Sequence, residues 1–409
     1  MALDFKVFTL NCWGLAVVSK NRKARISAIA DLLALHPFDV VCLQEVWTNR
    51  DYRLLKEKLA CVLPHSHYFY SGVTGSGICI FSKHPIEETF FHQWSVNGYI
   101  HKLHHGDWWG GKGVGMCRLK VQQEAETYFV NVYSTHLHAE YNRSSDDYQA
   151  HRVLQAYDTA QFILLTSGSA DLIVLAGDLN TEPGDLAYRQ VKVILTVPGL
   201  VDAYMQTGSI SDDRFATNES LRNSYTPSSL IKDKIVGKRI DYVMYHPGPN
   251  VKVELKSYAL PLPDRVPKQS FSYSDHEAIL VELSLSRDSK SSKNCPDEVA
   301  KKLVLEECVA LCKEALKSIS KTKILYWTAV LLLFLLFLAS LIVPAVVSVK
   351  MIDDYPVIFG VFRIIFTALV LFFILMATLW SRIEMHGVLS GKLAMEMSLK
   401  NIYECAHSR

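Results

Sequence analysis

Asn11, Glu45, His136, Asp178, Asn180, Asp241, Asp275 and His276 are amides, carboxylates and imidazoles, and each stands at the end of a short apolar run. In sequence these places read TLNCWG, CLQEVW, YSTHLH, LAGDLN, RIDYV and SDHEA. Glu45, Asp275 and the amide oxygen of Asn11 are hard oxygen donors of the kind that hold magnesium with some waters retained. The nearby thiols, Cys12 and Cys42, sit inside strand-like runs, which argues against structural zinc. His276 with Asp241 makes a base with an orienting carboxylate. His136, Asp178 and Asn180 are placed for proton donation, water positioning and hydrogen bonds to a charged oxygen centre. A single such residue is more often a cap or turn residue than a catalytic one. Six sites of this kind in one chain, all at strand ends, point to one metal-dependent centre.

Residues so far apart meet only if a rigid scaffold brings their loops to one rim. Runs rich in β-branched and aromatic residues predict strands at 5–11, 40–46, 77–82, 113–121, 128–136, 172–179, 239–245, 251–260 and 278–285. Helices are expected at 20–35, 50–59 and 144–166, the last with Ser144 or Ser145 as N-cap and Asp146 and Asp147 in its first turn. Many strands with a few outer helices predict an α/β fold of two sheets packed face to face and covered by helices. That domain spans 1–285. A polar linker follows at 286–297, then an amphipathic helix at 298–320 whose apolar positions face either the membrane surface or the enzyme.

The chain has 409 residues, 49% of them apolar and 21% charged, with a net charge of +2. Mean hydropathy is +0.12. Such a balance excludes disorder for most of the chain and gives no reason to expect a nucleic-acid partner. The nine cysteines form no CxxC pair and read as reduced thiols. The hydrophobic excess is concentrated at 324–349 and 357–380, each long enough at 1.5 Å per residue to cross about 30 Å of hydrocarbon. Arg363, the one charge in the second run, lies near its start, where it can reach the interface. The short connection predicts a two-helix transmembrane hairpin with both flanks on one side. Lys313, Lys317, Lys321, Lys323, Arg382 and Lys392 lie on those flanks and Asp353 and Asp354 in the connection, which places the flanks, the 381–409 tail and the N-terminal domain in the cytosol. No signal-peptide pattern opens the chain. An intracellular membrane, the endoplasmic reticulum before others, or the plasma membrane is the expected location.

One glycine-rich segment stands apart. Between His104 and Gly115 it carries Asp107, the adjacent Trp108 and Trp109, and Lys112. Adjacent residues on a strand point to opposite faces, so at least one tryptophan is expected to be exposed. Such a loop can dip into lipid and bring a cation to phosphate.

The order Asn11, Glu45, His136, GDLN at 177–180, RID at 239–241 and SDH at 274–276 resembles the endonuclease/exonuclease/phosphatase superfamily of deoxyribonuclease-like metallophosphoesterases. This resemblance implies a four-layer α/β/β/α sandwich and magnesium-assisted hydrolysis of a phosphate ester. It implies metal-site roles for Glu45 and Asn11, a base pair of Asp241 and His276, and a second catalytic histidine, His136. Asp178 and Asn180 would position water and phosphate, with Asp275 touching metal or supporting His276. The segment KRIDYVMYHP departs from the inositol 5-phosphatase pattern. LNCWG, LQEVW, GSGICIFSKHPI, HHGDWWGGKGVG, THLHAEYN and the double span together resemble the neutral sphingomyelinases of the membrane-anchored type 2 sphingomyelin phosphodiesterase kind. That likeness implies sphingomyelin as membrane lipid substrate, phosphocholine and ceramide as products, and lyso-choline phospholipids as further candidates. It also implies a switch-like Asp107 and Lys112 at the site. An aromatic cage for choline would draw on Trp13, Trp47, Tyr99, Trp108 or Tyr141. The alternatives are a membrane-bound phosphoinositide phosphatase or nuclease of the same superfamily, or a catalytically dead membrane adaptor.

Overall fold

The structure is a computed structural model that describes residues 2–102, 105–194, 200–208, 215–235, 237–288, 298–346 and 356–407. In chain order its elements are β1 (Leu3–Asn11), α1 (Arg22–Leu35), β2 (Val40–Gln44), α2 (Asn49–Leu59), β3 (His65–Tyr68), β4 (Cys79–Ser82), β5 (Ile86–Gln93), β6 (Gly113–Gln123), β7 (Glu126–His136), α3 (Gln149–Thr166), β8 (Leu172–Asp178), α4 (Leu186–Ile194) and β9 (Val201–Asp202). There follow α5 (Ser228–Lys232), β10 (Asp241–Pro247), β11 (Val251–Ala259), β12 (Ile279–Arg287), α6 (Glu298–Val346), α7 (Pro356–Leu375) and α8 (Ser381–His407). One six-stranded sheet runs β11-β12-β1-β2-β4-β3 and the other β5-β6-β7-β8-β10-β9.

Strand parity explains how the polar strand ends converge. Along β1, Phe5 and Val7 fill the layer between the sheets, while Phe8 and Leu10 face the helices. A period of two therefore sends Asn11 to the inter-sheet side. Val130 and Val132 lead in the same way to His136, and Leu172, Val174 and Ala176 to Asp178. On β10, which runs antiparallel to β8, Asp241 precedes the inter-sheet residues Val243 and Tyr245. Register then sets Asp178 directly between His136 and Asp241.

Three apolar layers follow from this arrangement: one between α1, α2 and the first sheet, one between the sheets, and one over the second sheet. The four-layer sandwich expected from sequence is present. Its outer layer over the second sheet is not made by α3 and α4 alone. Val304, Leu305, Cys308 and Cys312 of α6 and Val388, Met395 and Leu399 of α8 are buried in the same cluster. The Tyr157 and Ser398 hydroxyls meet at 2.9 Å. A side chain at Gly391 would start 2.3 Å from Leu154 Cδ2, so this glycine permits close approach of α8 to α3.

Several boundaries differ from the sequence reading. The 298–320 segment and the first apolar run form one uninterrupted helix of 49 residues, and its amphipathic half packs on the enzyme. The 381–409 tail is helical to His407 and docked. Strand β12 continues through Ser286 to Arg287, whose guanidinium bonds Asp171 and the Thr127 carbonyl; residues 289–297 of the supposed linker, and the hairpin connection up to Tyr355, lie outside the described residues. Helix α3 starts at Gln149, because Ser144 turns back on Asn142 and Asp146 accepts the Tyr148 N–H. Strands β3, β5 and β9 and helix α4 were not expected. β5 is a sheet edge with Glu87, Glu88 and Thr89 exposed, so it carries little apolar alternation to read.

Helices α6 and α7 are each long and apolar enough to cross a membrane, with stretches of mean hydropathy 2.5 and 2.7 that are unburied by protein. Residue 344 is proline, which offers no N–H to the carbonyl four residues back. Arg363 donates to that carbonyl, Ser340 O, at 2.6 Å. The charge is thus engaged by the neighbouring helix rather than turned only to the interface.

Candidate active site

Asn11 lies at the centre of the rim. Its Nδ2 donates to Glu45 Oε1 at 3.1 Å and to Asp178 Oδ2 at 3.0 Å, while its Oδ1 accepts the Trp13 N–H at 2.9 Å. The sequence reading gave the amide oxygen to a metal; in the structure that oxygen is used by backbone and the nitrogen orients two carboxylates. Glu45 leaves β2 with φ of 57° and Asn180 leaves β8 with φ of 45°. This left-handed backbone is uncommon for residues with a Cβ and is held by its surroundings. A Cβ on Gly14 would fall 2.0 Å from the Glu45 carbonyl, so glycine there lets the two loops touch.

His276 Nδ1 bonds Asp241 Oδ2 at 2.8 Å, leaving Nε2 facing Asp178 Oδ2 at 4.0 Å. Burial alone would lower its pKa, but Asp241, then Asp275 and Asp178, hold it well above the ordinary histidine value. Asp178 is shifted upward by burial and by Asp241. Glu45 is raised by burial and by Asp275, and Asp275 by burial. So many carboxylates in one dry rim call for positive charge. Asp178, Asp241 and His276 offer ligand atoms all within 4.8 Å of one another. Glu45 Oε2 and Asp241 Oδ1 are buried without a hydrogen-bond partner. Two orphaned carboxylate oxygens fit a hard divalent cation. Of the sequence set, Glu45 supplies one of these two oxygens, and Asn11 bonds its carboxylate.

On the other side of Asp178, His136 Nε2 lies 3.5 Å from Oδ2 and accepts from Lys112 Nζ at 3.0 Å. Lys112 has no lone pair as an ammonium, so the neutral imidazole carries its proton on Nδ1. Burial and Lys112 push His136 well below its ordinary value. Lys112 is fully buried, paired with Asp107 Oδ1 at 2.6 Å and donating to Leu137 O at 3.3 Å. Asn180 Nδ2 donates to the same carbonyl at 3.1 Å. Trp108 and Trp109 pack with centroids 3.9 Å apart and planes tilted by 31°, and Trp109 is the exposed one.

Four contributors were not singled out in the sequence. Arg25 is fully buried behind the rim and donates to the carbonyls of Lys20, Cys12, Tyr273 and Trp13. An arginine at position 25, in line with Ile29 and Leu33 on the apolar stripe of α1, was the available signal. Thr217 Oγ1 accepts the N–H groups of Ile240 and Asp241 and sets the start of β10. Arg239 makes a buried two-point contact with Asp202. His138 lies 3.3 Å from Asp107 and stacks on Tyr148. Trp13 packs on Tyr225 and Arg25, and Trp47 on Gly77 and Gly110.

Residues 8–276 match the endonuclease/exonuclease/phosphatase family. The chain belongs to this family. A putative neutral sphingomyelinase of Drosophila melanogaster is 38% identical over 450 residues, covering 98% of this chain and 98% of the fly protein. Sphingomyelin phosphodiesterase 2 of Homo sapiens is 40% identical over 282 residues, 69% of this chain and 65% of the human protein. Within the family the chain therefore groups with the neutral sphingomyelinases, and its chemistry is that of a phosphodiester hydrolase. D. rerio TDP2, solved with a single-strand DNA product, shares the fold at 17% identity and a TM-score of 0.51, over 68% of this chain and 98% of its own.

Proposed function

We propose that the chain is a membrane-anchored, magnesium-dependent sphingomyelin phosphodiesterase that releases phosphocholine and leaves ceramide in the bilayer. The observation that carries this reading is the buried rim in which Glu45 Oε2 and Asp241 Oδ1 lack partners beside Asp178 and His276, in a chain aligned nearly end to end with a neutral sphingomyelinase. Glu45 and Asp178, oriented by Asn11, would hold the cation, with Asp275 close by. When bound, the ion supplies positive charge that offsets the carboxylates and the substrate phosphate.

With the cation's charge set against Asp178 and Asp275, which otherwise keep His276 protonated, Nε2 would be free to take the proton of the attacking water, while Asp241 holds the imidazole through Nδ1. Asn180 offers an N–H donor to the phosphate oxygens, and Lys112, whose three N–H groups are held by Asp107, His136 and Leu137 O, lends them its positive charge. The Lys112 and His136 pair holds a proton at Nζ where the ceramide oxygen leaves. Tyr141 is exposed and stacked on His105 at 3.9 Å, and with Trp108 it is the aromatic surface left for a trimethylammonium group. Trp13 and Trp47 are engaged in packing, and Tyr99 lies against Tyr148 and His151.

Packing of the ends of α6 and α8 on the enzyme core supports a hairpin with both flanks on the enzyme's side, and their lysines favour the cytosol. The test is release of phosphocholine from vesicles of sphingomyelin, lyso-choline lipid or phosphatidylcholine, and of phosphate from a phosphoinositide, each with magnesium and with chelator. Magnesium-dependent release from sphingomyelin is expected; phosphoinositide turnover alone would overturn the assignment.

A further inference from the structure

The mouth of the site is ringed by apolar side chains that cover nothing. Val17 and Val18, on the loop from Asn11 to α1, are 96% and 70% exposed. Val73, on the turn from β3 to β4, is 82% exposed, and Trp109 is 43% exposed. Single exposed apolar residues are ordinary; these are linked. Gly72 pairs with Gly110, and Thr74 Oγ1 donates to Trp109 O at 3.2 Å. Tyr70, itself exposed, donates to Asn49 at 3.3 Å, and Arg22 of α1 donates to Thr48 at 3.3 Å. The contacts join the start of α1, which follows the 15–18 loop, to the head of α2, the 70–75 turn and the tryptophan pair. The 15–18 loop follows Asn11, the head of α2 follows Glu45, and the tryptophan pair precedes Lys112.

The same edge meets the membrane helices. Tyr326, at the start of the apolar part of α6, has its hydroxyl 3.0 Å from His101 Nδ1. His101 belongs to the segment that leads into Gly106–Trp109. Behind the Val17–Val18 tip, Lys20 and Lys23 are exposed, an apolar point with a cationic collar of the sort that seats in lipid headgroups.

We infer that Val17, Val18, Val73 and Trp109 form a second bilayer-contact surface, separate from the helical anchor, that sets the mouth of the site onto the leaflet entered by α6. The occupant is a lipid surface, which rests on the membrane-lipid reading above. The ring acts by delivering lipid to the site, not by touching the reacting atoms.

The test uses the full chain in phosphatidylcholine nanodiscs, in a background with Cys61, Cys295 and Cys405 replaced by serine. Val18→Cys is labelled with an environment-sensitive fluorophore. Leu35→Cys, at a position 81% exposed at the opposite end of α1, carries the same label as the control. A blue-shifted emission from the label at position 18, quenched by brominated lipid, with a water-like emission from the label at position 35, is the expected result; two equal, water-like emissions overturn the inference. In parallel, a Val17→Asp, Val18→Asp double variant should keep its turnover of a water-soluble phosphocholine ester and lose about tenfold on vesicle sphingomyelin. Full vesicle activity overturns it. Because the fluorescence needs no turnover, a lipid-buried label at position 18 on a protein that hydrolyses no sphingomyelin would fault the substrate assignment and leave the contact surface standing.

Discussion

Replacing Arg25 by methionine keeps the length and apolar stem of the side chain and removes every donor it supplies. Its guanidinium binds Cys12 O at 2.7 Å, Trp13 O at 2.7 Å, Tyr273 O at 3.2 Å and, through Nε, Lys20 O at 2.9 Å. Three of these carbonyls belong to loops that carry Asn11 and Asp275. An acceptor left unpaired in a buried place costs about 1–3 kcal/mol. With the low end taken for each of the three, because water reaches part of the gap, Arg25→Met should destabilise the domain by about 3 kcal/mol. For a domain of this size that is roughly 6 °C in melting temperature. The Trp13 ring lies 4.8 Å from the guanidinium, so tryptophan fluorescence during a thermal scan of the detergent-solubilised chain reports the site directly. Arg25→Lys, which keeps a charge without the planar fork, should fall between the two. Melting within a degree of the wild type, with full phosphocholine release, would refute the view that Arg25 holds the rim.

Glu45→Gln should raise the magnesium needed for half-maximal rate at least about tenfold, since a neutral amide is a poor ligand for a hard dication; an unchanged magnesium titration with full activity would count against that ligand. His276→Ala and Asp241→Asn should each cost about 10²–10⁴ in turnover, and the double variant little more than the worse single; losses that multiply would show that the two do not act as one unit. Burial would raise the Asp107 carboxyl, but Lys112 holds it well below its ordinary value of 3.8, so its stabilisation is complete above that value and is lost as pH falls below it. Asp107→Asn should therefore cost about 3 kcal/mol at every pH from 5 to 8, with the gap to wild type closing only in stronger acid; a gap that varies across the neutral range would contradict the pairing. Truncation at Lys290 strips Leu305, Cys308, Cys312, Met395 and their neighbours from the core over the second sheet, so the fragment should self-associate on size-exclusion chromatography without detergent, whereas a monodisperse, active fragment would show the docked helices to be dispensable.

The inter-sheet parity of Asn11, His136, Asp178 and Asp241 was legible in sequence, because the first three end, and Asp241 opens, a run whose alternate residues are apolar and a period of two fixes the face. The pairing of His276 with Asp241 followed once both were placed at one rim. The orientation of Asn11 was not legible: sequence specifies an amide and only the Trp13 backbone decides which end faces the carboxylates. Nor was the partner of His136, since Lys112 arrives through a loop whose path depends on Gly72, Gly110 and Gly111 packing backbone against backbone. Hydropathy marked the membrane helices but not the docking of their extensions, because a mixed stripe such as that of Val304, Cys308 and Leu311 reads the same whether it meets lipid or protein.

The unbroken course of α6 has a consequence for how substrate arrives. A helix of 49 residues measures about 74 Å, and its lower half is welded to the core while its upper half is apolar, so there is no swivel between anchor and catalyst. An enzyme mounted in this way does not reach across to a facing vesicle or follow its substrate on a flexible leash. Embedded as proposed above, it would work only in the bilayer that holds it, supplied by lateral diffusion of lipid past a fixed mouth. The ceramide it leaves behind accumulates in the same patch, so the local rate is set by how fast two lipids exchange places in two dimensions.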